Sequence, residues 1–179
     1  MTEILEPREV PLGGLRAMTV RRTLPQRQRS LIGAWCFLDH YGPDRVDETG
    51  GMMVTPHPHT GLQTVSWLFA GEIEHRDSVG SHAMVRPGEL NLMTAGRGIS
   101  HSEVSTPQTD VLHGVQLWVA LPASEENAPA QSIYLAPSQV PQEGPARVLL
   151  GRYGAAQSAI PAPAPMNYLA VQLKDGEHW

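Results

Sequence analysis

Residues 57–67 read HPHTGLQTVSW and place two histidines, His57 and His59, directly before an alternating apolar stretch. Side chains two residues apart on a β-strand point to the same face of the sheet. Val65 and Trp67 alternate with polar neighbours, which is the period of a strand. The stretch therefore predicts a strand with two parallel imidazoles, which either solvate the strand end or supply half of a metal site.

The composition excludes several classes of protein. The chain has 179 residues and a formal net charge of −5, and its one arginine-rich run, 21–29, is typical of a solvated turn. We therefore expect no direct binding to nucleic acid or acidic membranes. Without a signal-peptide pattern or a window that could span a bilayer, the protein is expected to be cytoplasmic. The lone Cys36 cannot form an internal disulfide and is interpreted as a packing residue.

Short alternating stretches between frequent turns predict an all-β fold. The chain contains 17 glycines and 16 prolines, and few stretches show helical periodicity. The candidate strands are 64–69, 73–76, 89–94, 111–121, 147–151 and 166–173. The first two are interpreted as a hairpin across Ala70-Gly71-Glu72. Strands at this spacing predict an antiparallel sandwich or barrel.

The composition also suggests where domains begin and end. Residues 1–122 are predicted to form one domain, and the Ala-, Pro-, Ser- and Gln-rich residues 123–146 a connecting segment. Residues 147–179 are predicted to complete the first barrel and to begin a second, incomplete domain. Residues 164–179 are expected either to fold back on the first barrel or to self-associate, because the last strand is a free edge.

A second pair of candidate ligands follows the first in the sequence. His101 and Glu103 are also two residues apart, so both can face the same side of a strand. If the two strands are neighbours, His57, His59, His101 and Glu103 could hold one divalent ion, and iron, manganese, nickel, copper and zinc all suit these donors. Four protein ligands leave two positions open on an octahedral ion. The spacing alone leaves a chance pairing open, since the chain has eight histidines.

The remaining histidines are interpreted as structural. His75 is predicted to be a polar residue at a strand end, and His82 a loop residue. His40 and His113 lie in apolar strands and are expected to be satisfied core histidines. His178 is terminal and carries no information.

Longer strings resemble a known family. Residues 51–71 resemble the first cupin motif: Gly51 is followed by five residues, then by His-x-His, and later by Gly71. Gln63 stands at the usual glutamate position, and Gly71 falls one place late. Residues 98–101 match the end of the second cupin motif. The strings HPHTGLQTVSWLFAGEIEHRDSVGS, RPGELNLMTAGRGISHSE and LHGVQLWVALP resemble the pirin branch of the cupin superfamily, as do RAMTVRRTLPQ and GAWCFLDHYGP. The resemblance covers about residues 10–122 strongly.

This resemblance implies a fold and a metal site. Pirins are bicupins, in which two jelly-roll-like antiparallel β-sandwich barrels face one another and the N-terminal barrel holds the metal. On this resemblance the second barrel is expected to be mostly missing from these 179 residues, since MNYLAVQLKDGEHW resembles only its opening. The family's three-histidine, one-glutamate site carries over onto His57, His59, His101 and Glu103, and Fe(II) is the metal that it implies.

Some positions depart from the family pattern. Thr60, Leu62 and Gln63 stand where many pirins have Arg, Phe and Glu. Gln63 is not a lost ligand, because the pirin carboxylate comes from the second motif. The departures therefore change the surroundings of the expected metal site rather than its ligands.

The resemblance implies alternative functions. Several pirins resemble quercetin 2,3-dioxygenase and cleave flavonols, which would make Glu103 the general base. Eukaryotic pirins resemble iron-dependent redox sensors that act through a protein partner. A metal-binding cupin without catalysis is a third alternative. No cofactor besides the metal ion is expected.

Overall fold

The computed structural model describes residues 3–12 and 18–179, and most of its regular structure is β-strand. Residues 1–2 and 13–17 lie outside the described part, which includes the first two letters of the string RAMTVRRTLPQ. Within the described part, no helix is long and apolar enough to cross a membrane.

Sixteen strands are present in the described residues, with one helical turn, α1 (Val46–Thr49), and one 3₁₀ turn, Pro137–Gln139. The strands are β1 (Arg8–Pro11), β2 (Thr19–Leu24), β3 (Trp35–Arg45), β4 (Met53–His59), β5 (Leu62–Ala70), β6 (Ile73–Asp77), β7 (His82–Val85), β8 (Leu90–Thr94), β9 (Ile99–Ser105), β10 (Val111–Ala120), β11 (Gln131–Leu135), β12 (Gln142–Glu143), β13 (Ala146–Leu150), β14 (Arg152–Tyr153), β15 (Ala156–Gln157) and β16 (Tyr168–Val171).

Two antiparallel sheets form the main sandwich. The large sheet has the order β1-β2-β3-β10-β5-β8-β11, and the small sheet has the order β4-β9-β6-β7. Between them lies a core to which both sheets contribute, for example Tyr41 and Leu68 from the large sheet and Ile73 and Val85 from the small one. The predicted all-β antiparallel sandwich is confirmed.

The predicted hairpin between residues 64–69 and 73–76 is wrong. β5 belongs to the large sheet and β6 to the small sheet, so the chain crosses from one sheet to the other between them. Gly71 makes this crossing with φ of +85°, and a Cβ atom there would lie 2.6 Å from the carbonyl oxygen of Val111. The close approach explains why glycine is needed at this crossing.

The strand that carries the first two histidines, β4, is irregular. It lies at the edge of the small sheet and contains Pro56 and Pro58, which suits an edge position because proline has no N–H to donate. Its register with β9 shifts between Val54 and His57, so that His57 stands directly opposite His101. A bulge of this kind re-aims the side chains that follow it.

The predicted connecting segment, 123–146, contains more regular structure than its composition indicates. β11 lies within it and pairs with β8 along five residues, at the edge of the large sheet. Part of the predicted connecting segment is therefore an edge strand of the large sheet. The division into 1–122, 123–146 and 147–179 stays a prediction.

The C-terminal strands pack on the outer face of the large sheet. β16 pairs with β13, and a second apolar core includes Trp67, Leu149, Ile160 and Tyr168. β16 is the end strand of the sheet β12-β13-β16, while Leu173 beyond it is exposed. Part of 164–179 thus folds back on the sandwich, and self-association through this edge stays a prediction.

A chain that ends after Ser158 should be markedly less stable than the full chain. It lacks Ile160 and Tyr168, which are both buried in the outer core. Each large apolar side chain contributes about 1.5–3 kcal/mol when buried, so the free energy of unfolding should fall by several kcal/mol in urea denaturation. A chain that ends after Lys174 is the control, since it keeps β16. Equal stability of the two shortened chains would show that β16 contributes little to the free energy of unfolding.

Candidate metal centre

Three of the four predicted ligands converge between the two main sheets. The Nε2 atom of His59 lies 2.9 Å from Nε2 of His57 and 3.1 Å from Nε2 of His101. β4, which carries His57 and His59, pairs in the small sheet with β9, which carries His101. The two pairs of candidate ligands are therefore on neighbouring strands. His101 is 2% exposed and His59 is 8% exposed, whereas His57 borders a cavity. The cluster is thus buried on one side and accessible on the other.

The ring of His57 is oriented for metal binding. Its Nδ1 lies 2.9 Å from the carbonyl oxygen of Thr55, which can only accept a hydrogen bond. The proton must therefore be on Nδ1, and the lone pair on Nε2 points into the cluster. A metal-ligating histidine commonly has its other ring nitrogen bonded in this way.

Burial keeps the other two rings neutral. Loss of hydration lowers the pKa of His59, and the neighbouring His57 lowers it further. Burial also lowers the pKa of His101, to about 4, although Glu103 opposes the change. Neutral imidazole is the form that binds a metal ion.

Glu103 is positioned by side chains of the large sheet. It is 3% exposed, and its Oε1 accepts a hydrogen bond from the Ser66 hydroxyl at 2.7 Å. Its Oε2 accepts one from the Gln116 amide at 2.6 Å. Each carboxylate oxygen has two lone pairs, so each keeps one for a metal ion or a proton. Glu103 forms a group with His75 and His101 whose ligand atoms lie within 4.8 Å of one another.

The donor set fits a divalent metal ion. Two neighbouring ligands on an octahedral ion with bonds of about 2.1 Å lie about 3.0 Å apart. The Nε2 separations of 2.9 and 3.1 Å in the cluster match this edge. A tetrahedral ion with the same bonds would need separations of about 3.4 Å. His57, His59 and His101 are therefore suited to one ion with open positions, whereas the carboxylate of Glu103 groups with His101 and His75 and not with His57 and His59.

An aromatic wall borders the cluster. Phe37 and Trp118 stack at 3.9 Å with an interplanar angle of 10°, and the Trp118 ring meets His59 edge-on at 4.9 Å. Arg22 lies over Phe37 at 4.4 Å and forms a bidentate ion pair with the buried carboxylate of Asp39. The cavity behind this wall has a volume of about 360 Å³, and His57, Glu103 and Gln116 also line it. This is within the range of small-molecule sites.

A larger cavity lies elsewhere. It has a volume of about 870 Å³ and runs between the outer face of the large sheet and β16. Apolar side chains such as Trp67, Leu117 and Val171 line it, and none of the clustered histidines does. We place the candidate chemistry in the smaller cavity, because it is the one that His57 and Glu103 line.

Two of the histidines interpreted as structural have different surroundings from those predicted. His75 is 1% exposed and lies inside the sandwich behind His101, rather than at a polar strand end. His82 begins β7 instead of lying in a loop, and it contacts Glu74. The charged neighbours Glu74 and Arg76 favour an exposed position for His75 in the sequence. They point to the opposite face of β6, so they say nothing about the burial of His75 itself.

His40 and His113 form a satisfied pair, but at the surface rather than in the core. Their Nε2 atoms are 2.9 Å apart, and His40 Nδ1 accepts a hydrogen bond from the Arg21 guanidinium at 2.6 Å. Because Arg21 can only donate, His40 carries its proton on Nε2 and donates it to His113.

This pair predicts a pH-dependent stability. Burial, and after it the charge of Arg21, lowers the pKa of both His40 and His113 from the ordinary value of 6.5. Near pH 6.5 the unfolded chain therefore binds more protons than the folded chain. Stability increases with pH wherever the unfolded chain binds more protons. The free energy of unfolding should fall as the pH decreases through 6.5 towards the lower pKa values of the folded state.

Urea denaturation between pH 5 and 8 measures this effect. His113→Gln keeps an acceptor for His40 but removes one titrating ring, so its stability should depend less steeply on pH than that of the unaltered protein. His178→Gln, at the exposed C-terminus, is the matched control and should leave the slope unchanged. An unchanged slope in His113→Gln would contradict the prediction.

The sequence is similar to known proteins. The sequence signature of the Pirin family matches residues 16–119. A pirin-like protein of Caulobacter vibrioides is 38% identical over 183 residues, covering 97% of this chain and 62% of that protein. A Pseudomonas aeruginosa protein, provisionally named a quercetin 2,3-dioxygenase, is 52% identical over 124 residues, covering 69% of this chain and 39% of that protein.

A solved structure has the same fold. The crystal structure of a quercetin 2,3-dioxygenase from Acinetobacter baumannii superposes with a TM-score of 0.84 at 39% identity, covering 92% of this chain and 55% of that chain. The chain spans 39% and 62% of the lengths of the two curated relatives.

Proposed function

The chain belongs to the pirin family, and on that basis we propose that it is a metal-dependent dioxygenase that cleaves flavonols such as quercetin. Fe(II) or another divalent ion would be held by His57, His59, His101 and Glu103. The observation that supports this best is the convergence of three imidazole Nε2 atoms beside a cavity that Glu103 also lines.

The cavity suits a flat aromatic substrate. Trp118 and Phe37 offer apolar ring surface beside the histidines, and aromatic pairs favour stacked or edge-on contacts. The ion pair with Asp39 holds the Arg22 guanidinium at the same wall. A planar phenolic ring system would meet an apolar ring surface there, beside a guanidinium that is already paired with a carboxylate.

Glu103 is the residue proposed to take the proton of the flavonol 3-hydroxyl. When bound, a divalent ion supplies Lewis acidity and open coordination positions, which make that hydroxyl easier to deprotonate. Glu103 would act as general base, since its carboxylate oxygens each keep a lone pair that can accept the proton. Ser66 and Gln116 hold the two oxygens, so the carboxylate stays oriented while the proton moves.

The metal assignment is tested by elemental analysis. The unaltered protein should contain about one divalent ion per chain, and His57→Ala should lose most of it, since removal of one of four ligands weakens binding strongly. His178→Ala, which changes a terminal histidine, is the control and should keep the metal. An unchanged metal content in His57→Ala would rule out this ligand set.

The activity is tested by oxygen uptake with quercetin. Glu103→Gln should retain part of the metal but lose flavonol cleavage by about 10²-fold or more, because an amide cannot accept the proton. Full turnover in this variant would show that Glu103 is not the base. A metal-loaded, unaltered protein that consumes no oxygen with any flavonol would favour an iron-dependent regulator that acts through a protein partner.

A further inference from the structure

We infer that His75 and Asp77 form a positioning relay that fixes the ring of His101 from behind the metal centre. The inference rests on the proposed metal centre, but not on dioxygenase activity. It assigns a role to a histidine and a carboxylate that neither belong to the ligand set nor line the substrate cavity.

The three residues form a buried row across two neighbouring strands. Asp77 of β6 stands opposite His101 of β9 in the ladder, and His75 stands opposite Glu103. The Nδ1 atoms of His101 and His75 are 3.5 Å apart, and Nε2 of His75 lies 3.2 Å from Oδ2 of Asp77. The side chains of His75 and Asp77 are 1% and 0% exposed. Water therefore has little access to either group.

The far end of the row is anchored by hydrogen-bond donors. The backbone N–H groups of Val79 and Ser81 donate to Oδ1 of Asp77 at 3.0 and 2.9 Å. The Ser132 hydroxyl donates to Oδ2. Ser132 lies on β11 in the large sheet, whereas Asp77 lies on β6 in the small sheet. The carboxylate thus tethers the two sheets and acts only as an acceptor.

This anchoring fixes the position of every proton along the row. Because Asp77 only accepts, His75 must carry its proton on Nε2 and donate it to Oδ2. In a neutral His75 ring the lone pair is then on Nδ1, 3.5 Å from Nδ1 of His101, where it can accept the Nδ1–H of that ring. His101 is left with a lone pair on Nε2, which faces Nε2 of His59. The row therefore selects the tautomer that metal binding requires.

A second metal ion is the alternative explanation of the same residues. The ligand atoms of His75, His101 and Glu103 lie within 4.8 Å of one another. However, both nitrogens of His75 already have partners in the row, which leaves that ring no lone pair for a further ion. The relay accounts for these contacts without a further ion.

The direct test reads the tautomers in the metal-free protein. Long-range ¹H–¹⁵N NMR spectra of the imidazole rings should show His101 protonated on Nδ1 and His75 protonated on Nε2. This measurement needs no substitution, no metal and no substrate. A His101 ring protonated on Nε2 in the metal-free protein would overturn the relay.

Substitutions then test what the relay does for metal binding, with Co(II) and its absorption bands as the probe. His75→Phe should leave the His101 ring in mixed tautomers and weaken Co(II) binding about 10–100-fold, the usual effect of losing such a partner. His75→Gln should restore most of the affinity, because its amide can accept from His101 and donate to Asp77. Ile73→Val, a buried change on the same strand, is the control and should leave the Co(II) affinity unchanged.

The outcomes separate this inference from the proposed function. Unchanged tautomers or unchanged Co(II) affinity in His75→Phe would overturn the relay, even if the protein cleaves quercetin. Two Co(II) ions per chain, with the second lost in His75→Phe, would show that His75 is a ligand instead. The predicted tautomers and the weaker Co(II) binding of His75→Phe would support the relay, even if no flavonol is cleaved.

Discussion

The register between β4 and β9 is the constraint on which the candidate site depends. Side chains alternate across a strand, so a slip of one residue would turn both histidines of β4 away from the interior. The bulge between Val54 and His57 sets this register and places His57 opposite His101. The convergence of His57, His59 and His101 therefore depends on that one alignment.

The interior of the sandwich is divided between two kinds of packing. At one end Tyr41, Leu68 and Ile73 pack in an apolar core, whereas the buried carboxylate of Glu103 is hydrogen-bonded to Ser66 and Gln116. Burying a polar group costs free energy unless the group is hydrogen-bonded. The hydrogen bonds from Ser66 and Gln116 therefore serve stability as well as chemistry. The apolar packing between the two sheets comes from the core around Tyr41, Leu68 and Ile73.

The sequence was informative where periodicity is local. The i, i+2 spacing of His57 with His59 placed both on one face of a strand, and strand alternation indicated the all-β class. What it could not supply was the partner of each strand, because sheet pairing is set by contacts distant in sequence. The predicted hairpin across Gly71 is wrong for this reason. For the same reason the sequence does not reveal that β11, inside the predicted connecting segment, pairs with β8. His75 was missed because its neighbours are charged, although they point to the other face.

The prolines of β4 have a consequence for how the molecule meets other molecules. An edge strand normally offers a row of free N–H and C=O groups to which a foreign strand can attach. Pro56 and Pro58 remove two of those donors from the strand that carries the first two histidines. A foreign strand would find few partners there and would bind poorly along β4. The edge beside the histidine cluster is thereby less able to pair with another strand than an edge without proline would be.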